Sequence, residues 1–204
     1  THCTSSAASD VYKRQDVHIM AVGDFGSMAR AVAIGNSIST WTPIDLLEQR
    51  QIPAIGQVQT LDSTYEGNFQ DTIWEGTRNT WVSVGAGGSI FTAVGLTTGA
   101  AFSQYSGTFQ QLNAVCYGQS EFIAVGNGGV ILASTDGTGW GDKTSNTNFD
   151  LNDIIYDGNR FIVVGDSGTS GISTNKNFWQ PWSQQLPAGT QHPATFDFAK
   201  IKFF

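Results

Sequence analysis

Four copies of a short glycine pattern constrain the fold of this chain more than any other feature of the sequence. The pattern is Val-Gly-x-x-Gly, and its copies begin at Val22, Val84, Val125 and Val164. A large apolar residue stands three positions before each valine. The first glycines of successive copies are 62, 41 and 39 residues apart. Because one four-stranded propeller blade takes ~40–45 residues, the spacing predicts an all-β propeller of about four antiparallel blades.

The glycines are predicted to form the turn of an antiparallel hairpin between two buried strands. In the best copy, residues 122–125 and 130–133 are continuous apolar runs, which is typical of strands covered on both faces. Glycine takes positive φ at little steric cost, as a tight hairpin requires. We therefore assign a structural role in these turns to Gly23, Gly26, Gly85, Gly88, Gly126, Gly129, Gly165 and Gly168.

A second turn follows the hairpin, and its polar residues are predicted to stabilise it. Over residues 134–140 the Ser134 hydroxyl and the Asp136 carboxylate can bond backbone amides, and Trp140 anchors the next strand. The next unit has Asn175 and Lys176 in place of the acid and the glycine. The structural residues predicted for this second turn are Ser134, Asp136, Gly137, Trp140, Ser173 and Trp179.

The repeat also predicts where the units begin and end. Residues 112–118 and 151–158 each start fourteen positions before a turn glycine and are predicted first strands. The predicted blades are about 16–42, 69–109, 112–146 and 151–185. Residues 43–68 are an insertion, either a functional loop or a surface decoration without a ligand. Residues 195–204 are the first strand of another unit, which either starts a further blade or completes the first blade.

Residues 5–15, SSAASDVYKRQ, are similar to the translated transposase adapter of sequencing libraries. We expect residues 1–15 to be adapter-derived, non-native and disordered, and exclude them from fold reasoning. The chain is then a metagenomic fragment, residues 16–204 are a partial propeller, and the ring is incomplete. Cys3 falls in the excluded segment, so Cys116 is expected to be a small buried hydrophobe without a disulfide partner.

Composition argues against two kinds of partner. The net charge is −7 and only 13% of residues are charged, which disfavours electrostatic binding to nucleic acid or to an anionic membrane. No apolar run approaches the ~20 residues of a membrane span, so no membrane insertion is expected. We therefore expect the partner to be a protein or a glycan.

The unit resembles the repeats of photosystem II stability/assembly factor-like β-propellers. Its Ser-Asp-Gly-Trp turn resembles a shortened Asp-box of sialidase-type (BNR) propellers, best over residues 112–140. The resemblance covers about residues 16–204 apart from the insertion. It implies that Ser134, Asp136, Gly137 and Trp140 are structural. Related repeats occur in assembly factors, secreted bacterial proteins and phage structural proteins, so it implies a shape and several roles.

No catalytic, cofactor-binding or metal-binding residues are predicted. The arginines of residues 16–204 occupy unrelated positions in their units, and no pair of acids is marked for glycoside hydrolysis. Asp24 and Asp166 share a turn position, but Ala86 and Asn127 stand there in the other copies, which disfavours calcium. We expect a non-catalytic scaffold that binds a protein or glycan as a phage virion or secreted bacterial component. The alternatives are a photosystem-type assembly factor and an Asp-box glycoside hydrolase.

Overall fold

A computed structural model of the protein describes residues 17–22, 28–34, 37–38, 41–43, 45–51, 58–61, 68–95, 100–175 and 198–202. Over these residues the chain forms four β-sheets in chain order, and its helical pieces are three single 3-10 turns. The all-β class is therefore confirmed. The predicted adapter-derived segment, residues 1–15, lies outside the described residues.

The first sheet is organised around its second strand. β1 (Val17–Val22) pairs antiparallel with β2 (Met28–Ile34) along its whole length. Two short strands, β3 (Ser37–Ile38) and β4 (Thr42–Pro43), also pair with β2. The predicted first blade thus contains strands on both sides of its glycine pattern.

The second sheet is larger than a four-stranded blade. Its strands are β5 (Asp45–Gln51), β6 (Val58–Leu61), β7 (Phe69–Glu75), β8 (Thr80–Gly85), β9 (Ile90–Val94) and β10 (Ala100–Gln104). The last four are antiparallel neighbours in chain order. β5 and β6 form a hairpin, and β5 pairs in parallel with β10.

This hairpin places part of the 43–68 insertion on the outer edge of the second sheet. The parallel pairing of β5 departs from the purely antiparallel blade predicted from the sequence. Without β5, β10 would be an edge strand with unpaired backbone N–H and C=O groups, and β5 pairs with this edge. This strand is hard to predict from the sequence, because Asp45–Gln51 contains no β-branched or aromatic residue.

The third and fourth sheets repeat the same antiparallel order. The third contains β11 (Leu112–Gly118), β12 (Glu121–Gly126), β13 (Ile131–Ser134) and β14 (Gly141–Asp142), and the fourth β15 (Leu151–Tyr156), β16 (Phe161–Gly165) and β17 (Ser170–Ser173). Trp179, which was predicted to open a further strand of the fourth sheet, lies outside the described residues.

A β-bulge recurs where the first strand of a sheet meets the second. The pairing register shifts after Phe69, Leu112 and Leu151, so that the next residue in each strand has no direct partner. A bulge changes the direction of a side chain. In the third and fourth sheets the unpaired residues are Asn113 and Asn152, whose amides reach the following segment of chain.

One hydrophobic core runs through the second, third and fourth sheets. β8 is buried along its whole length and β12 at all but its first residue, as expected for strands covered on both faces. Phe91, Phe122 and Phe161, one from each sheet, are among the largest fully buried side chains. Burying one such side chain stabilises the fold by about 1.5–3 kcal/mol, so the sheets stabilise one another.

The first strands of these sheets lie side by side. β11 packs against β7 on one side and against β15 on the other. Repeated antiparallel sheets whose first strands stack around a common line are the arrangement of propeller blades. The chain is therefore an all-β propeller fragment, as the repeat spacing predicted.

The last described segment of the chain contacts the fourth sheet. The predicted strand at 195–204 is described from residue 198 to 202, where the chain bonds to the fourth sheet but no strand is assigned. Among the described residues, no helix has the length and apolar character needed to cross a bilayer.

The Cys116 side chain is fully buried in β11, as expected. The expectation about its disulfide partner involves Cys3, which lies outside the described residues.

Candidate functional site

The first glycine of each Val-Gly-x-x-Gly turn allows a close approach between two pieces of backbone. A β-carbon at Gly126 would lie 2.1 Å from the carbonyl oxygen of Gln111, the residue before β11. Gly85 and Gly165 have the same relation to Asn68 and Asp150. Their φ angles are near 180°, which any residue adopts. Steric contact, and not positive φ as predicted, thus requires glycine at these positions.

The last glycine of the pattern has the predicted positive φ and a close contact as well. Gly88 and Gly129 have φ of 73° and 76°. Their β-carbons would lie 2.1 and 2.0 Å from the carbonyl oxygens of Thr108 and Thr147. Gly168 also has positive φ, at 69°. Each turn therefore packs on a loop that leads from one sheet to the next.

The Ser134–Trp140 turn is closed by its own side chains. Ser134 Oγ accepts the Gly137 N–H at 2.9 Å, and Asp136 Oδ1 accepts the N–H groups of Thr138 at 2.8 Å and Gly139 at 3.2 Å. Trp140 Nε1 donates to the Gly137 carbonyl at 3.0 Å. The bond from Thr138 N–H is the main reason that the pKa of Asp136 is below its ordinary value. The carboxylate is thus a hydrogen-bond acceptor that fixes the turn backbone.

The same turn also joins two sheets. Gly137 has φ of 83°, and its β-carbon would lie 3.1 Å from Cγ2 of Val82 in the second sheet. Thr92 Oγ1 of the second sheet donates to the Gly137 carbonyl at 2.5 Å. Glycine is needed here for its backbone conformation and for the space.

The remaining residues predicted for the turns are only partly described. Ser173 is fully buried, and its hydroxyl has no hydrogen-bond partner among the described residues. Gly23, Gly26 and Trp179 lie outside the described residues.

Two buried aspartates, which the sequence reasoning missed, link neighbouring segments near the stacked first strands. Asp71 is 7% exposed, and its Oδ2 accepts the N–H of Val115 in the third sheet at 2.9 Å. Asp153 is 2% exposed, and its Oδ2 accepts the N–H of Ile201 at 2.9 Å. A signal was available, because both acids alternate with apolar residues, Asp71 with Phe69 and Ile73 and Asp153 with Leu151 and Ile155, and alternate residues of a strand share a face.

Burial raises the pKa of Asp71 to about 6, and the negative charge of Asp153 acts in the same direction. The hydrogen bond from Val115 N–H and the charge of Lys200 oppose the rise. Burial also raises the pKa of Asp153, again against Lys200, whose Nζ lies 3.8 Å from Asp153 Oδ1. The charges of Asp71, Asp153 and Lys200 therefore interact with one another.

Amide side chains make parallel links at the bulges. Asn113 Nδ2 donates to the Leu151 carbonyl at 2.9 Å, from the third sheet to the fourth. Asn152 Nδ2 donates to the Phe198 carbonyl at the same distance. Each amide also bonds within its own sheet, to Asn127 Oδ1 and Asp166 Oδ1 respectively. Bulge and amide together bind one unit to the next.

One face of the molecule, here called the turn face, carries exposed aromatic side chains. It consists of the three Val-Gly-x-x-Gly turns and of the loops 105–111 and 144–150, which pack on those turns. Tyr105 is 86% exposed, Phe109 95% and Phe149 41%. All three lie on these two loops, which occupy equivalent places in successive units. Exposed apolar groups concentrated in one region mark interaction sites, whereas scattered ones do not.

The loops of the turn face are nearly uncharged. Residues 105–111 and 144–150 contain no lysine or arginine and a single acid, Asp150. Asp150 Oδ1 accepts the Gly128 N–H at 2.7 Å. The rest of their polar groups are hydroxyls and amides. The surface suits apolar and neutral polar contacts.

The described residues offer no cluster of three or more metal-ligating side chains. Asp166, one of the two acids considered for calcium, accepts the amide of Asn152 at 2.7 Å. The other, Asp24, lies outside the described residues.

A carboxyl group with a pKa near 6 has the proton affinity that acid–base catalysis uses. Asp71 is nevertheless buried, and its oxygens accept the backbone N–H groups of Val115 and Thr72. Asp153 likewise accepts the N–H groups of Ile201 and Ile154. This arrangement makes both acids connectors between strands.

No family model matches this chain, and no curated protein matches it. Among solved structures, it is similar to one titled "YCF48 bound to D1 peptide", with a TM-score of 0.44 and 14% sequence identity. The match covers 84% of this chain and 64% of that one, so the chain spans less than two thirds of that structure. The propeller assignment stands on the chain's own sheets.

Proposed function

We propose that this protein is a non-catalytic propeller scaffold that binds a protein partner through its turn face. The observation that carries the proposal is the exposure of Tyr105, Phe109 and Phe149 on two equivalent loops of one face. Aromatic side chains are enriched and charged ones depleted in the cores of protein–protein interfaces. Both features describe loops 105–111 and 144–150.

The rigidity of the loops also supports this proposal. Thr108 and Thr147 are held against the glycines of the turns, and Ser106 and Ser145 each bond to the same loop's threonine carbonyl at 3.1 Å. Loops fixed in this way present their aromatic side chains without a large ordering cost on binding. The partner is to be sought in the settings that the sequence resemblance implies: phage virions, secreted bacterial assemblies and photosystem-type assembly.

The test uses displayed random peptides and a glycan array as probes for the full chain. We expect the protein to select peptides, and Phe109→Ser to weaken the selected peptide about tenfold or more, as loss of an aromatic anchor does. Trp41→Ser is the matched control, because Trp41 is an exposed aromatic residue that lies outside the turn face. Selection of glycans alone, or equal effects of the two substitutions on the Kd, would contradict the proposal.

The rival function, an Asp-box glycoside hydrolase, is tested separately. Hydrolysis of a panel of sialyl and other aryl glycosides would support it only if turnover is lost in Asp71→Asn or Asp153→Asn. These are the buried acids that influence each other's ionisation. We expect no turnover that depends on either residue.

A further inference from the structure

We infer that the far side of the fourth sheet, away from the third, is a docking site for one strand-like segment of chain, and that Lys200 determines which segment and register it accepts. The site consists of the Gly165 carbonyl and the side chains of Asn152 and Asp153. Residues 198–201 occupy it. This inference is independent of the turn face and of its partner.

Three hydrogen bonds hold the segment. Phe198 N–H donates to the Gly165 carbonyl at 3.1 Å, and Asn152 Nδ2 donates to the Phe198 carbonyl at 2.9 Å. Three residues later, Ile201 N–H donates to Asp153 Oδ2 at 2.9 Å. The segment is thus bound mainly through its backbone, which fixes its place but leaves its sequence open.

Two of these bonds recur between the earlier units, one at each interface. The amide of Asn113 binds the carbonyl of Leu151, the first residue of β15, as that of Asn152 binds Phe198. Asp71 binds the N–H of Val115, the fourth residue of β11, as Asp153 binds Ile201. We call β7, β11 and β15, the first strands of their sheets, inner strands. Residues 198 and 201 therefore take the first and fourth positions of an inner strand.

Lys200 supplies what the backbone bonds lack, namely selectivity. It stands at the third position, where the three preceding units have Asp71, Ala114 and Asp153. Lys200 Nζ lies 3.8 Å from Asp153 Oδ1. The two aspartates repel each other, and the Lys200 charge favours the ionised form of both. A segment shifted by one residue would bring Ala199 or Ile201 to this position and leave the buried acids without the cation. The accepted ligand is a segment with apolar first and fourth residues and a cation at the third.

The experiment measures backbone amide exchange by NMR in the full chain. We expect the Ile201 amide to be protected in the wild type and to exchange at least tenfold faster in Lys200→Glu, because an acid at this position repels Asp153. Lys202→Glu is the matched control, since Lys202 is exposed and two positions further on. It should leave the exchange of Ile201 unchanged, and Lys200→Arg should keep most of the protection.

The Val115 amide, which is bound by Asp71 in the interior, reports on the rest of the fold. If Val115 stays protected while Ile201 does not, the effect of Lys200→Glu is local, as inferred. Should Val115 also lose protection, Lys200→Met, which removes the charge without reversing it, gives the same comparison and should still accelerate Ile201 more than Lys202→Met does. An unprotected Ile201 in the wild type, or equal effects at positions 200 and 202, overturns the inference.

Discussion

Between the second and third sheets the inner-strand link is a buried carboxylate, whereas between the third and fourth it is a neutral amide. Asp71 accepts the N–H of Val115 at the first interface. At the second, Ala114 stands in the position of the acid, and Asn113 donates to the Leu151 carbonyl instead. Ile154, whose N–H is the counterpart of that of Val115, bonds to Asp153 of its own sheet.

The difference shows that the repeat keeps a geometry and not a particular linking residue. An acceptor for the fourth N–H of each inner strand is supplied from the preceding sheet where an acid is present, and from the same strand where it is not. The first solution buries a charge and is therefore sensitive to pH. The second link consists of a neutral amide and a neutral carbonyl.

The largest effect is expected when the acid is removed. Asp71→Ala leaves the N–H groups of Val115 and Thr72 without their acceptor in the interior. The free energy of unfolding should fall by about 4 kcal/mol at pH 5, since each unsatisfied buried group costs about 1–3 kcal/mol. Urea unfolding gives the value, with Asp142→Ala at an exposed acid as the control. A loss below about 1 kcal/mol would show that the link is replaceable.

The pH dependence of the charged interface should be nearly as large. The pKa of Asp71 is about 6 in the folded protein, above its ordinary value of 3.8, so folding favours the protonated form. The contribution is complete below pH 3.8 and is lost as the pH rises through 6. The wild type should therefore lose about 2.4 kcal/mol of stability relative to Asp71→Asn between pH 4 and pH 7.

Subtracting the variant's curve removes titrating groups that do not interact with Asp71, such as Asp136, whose lowered pKa acts in the opposite direction. Asp153 interacts with Asp71, so the difference between the curves includes the change that the substitution makes in the ionisation of Asp153. Parallel stability curves for the two proteins would show that Asp71 does not titrate in this range.

The neutral interface should give the smallest effect. Asn113→Ala removes the bonds to the Leu151 carbonyl and to Asn127 Oδ1. It should cost about 2 kcal/mol, since a hydrogen bond between neutral groups has a net value of about 1 kcal/mol. The cost should be the same at pH 4 and pH 7, in contrast to the behaviour of Asp71. Asn148→Ala, at an exposed asparagine of loop 144–150, is the control. A pH-dependent cost at Asn113 would remove the distinction between the interfaces.

Much of the fold follows from the sequence, because the glycine pattern marks a turn and its spacing gives the length of a unit. The reason for the first glycine does not follow. Gly126 is required by a carbonyl that lies fifteen residues earlier in the chain, and no local propensity reports such a contact. The β5 strand was missed for a similar reason, since its pairing with β10 is long-range.

The linking residues could have been found in part. A carboxylate that shares the buried face of a strand with apolar residues, as Asp71 and Asp153 do, needs a partner and is a sign of a specific contact. Which N–H each acid binds depends on the stacking of the sheets, which a single unit does not contain. The exposure of the aromatic residues on the turn face could not be predicted either, because tyrosine and phenylalanine occur both in buried strands and in exposed loops.

The turns at Gly85, Gly126 and Gly165 have one more consequence, which concerns how a repeat protein gains units. In each case the neighbouring N–H bonds to the residue that enters the same unit: Ala86 to Asn68, Asn127 to Gln111 and Asp166 to Asp150. Each of these three units thus binds its hairpin turn to the residue that precedes its own first strand. A gene duplication that copies one unit of about forty codons also copies both partners of this bond, so the new unit has to gain only the apolar packing and the acid or amide link to its neighbours.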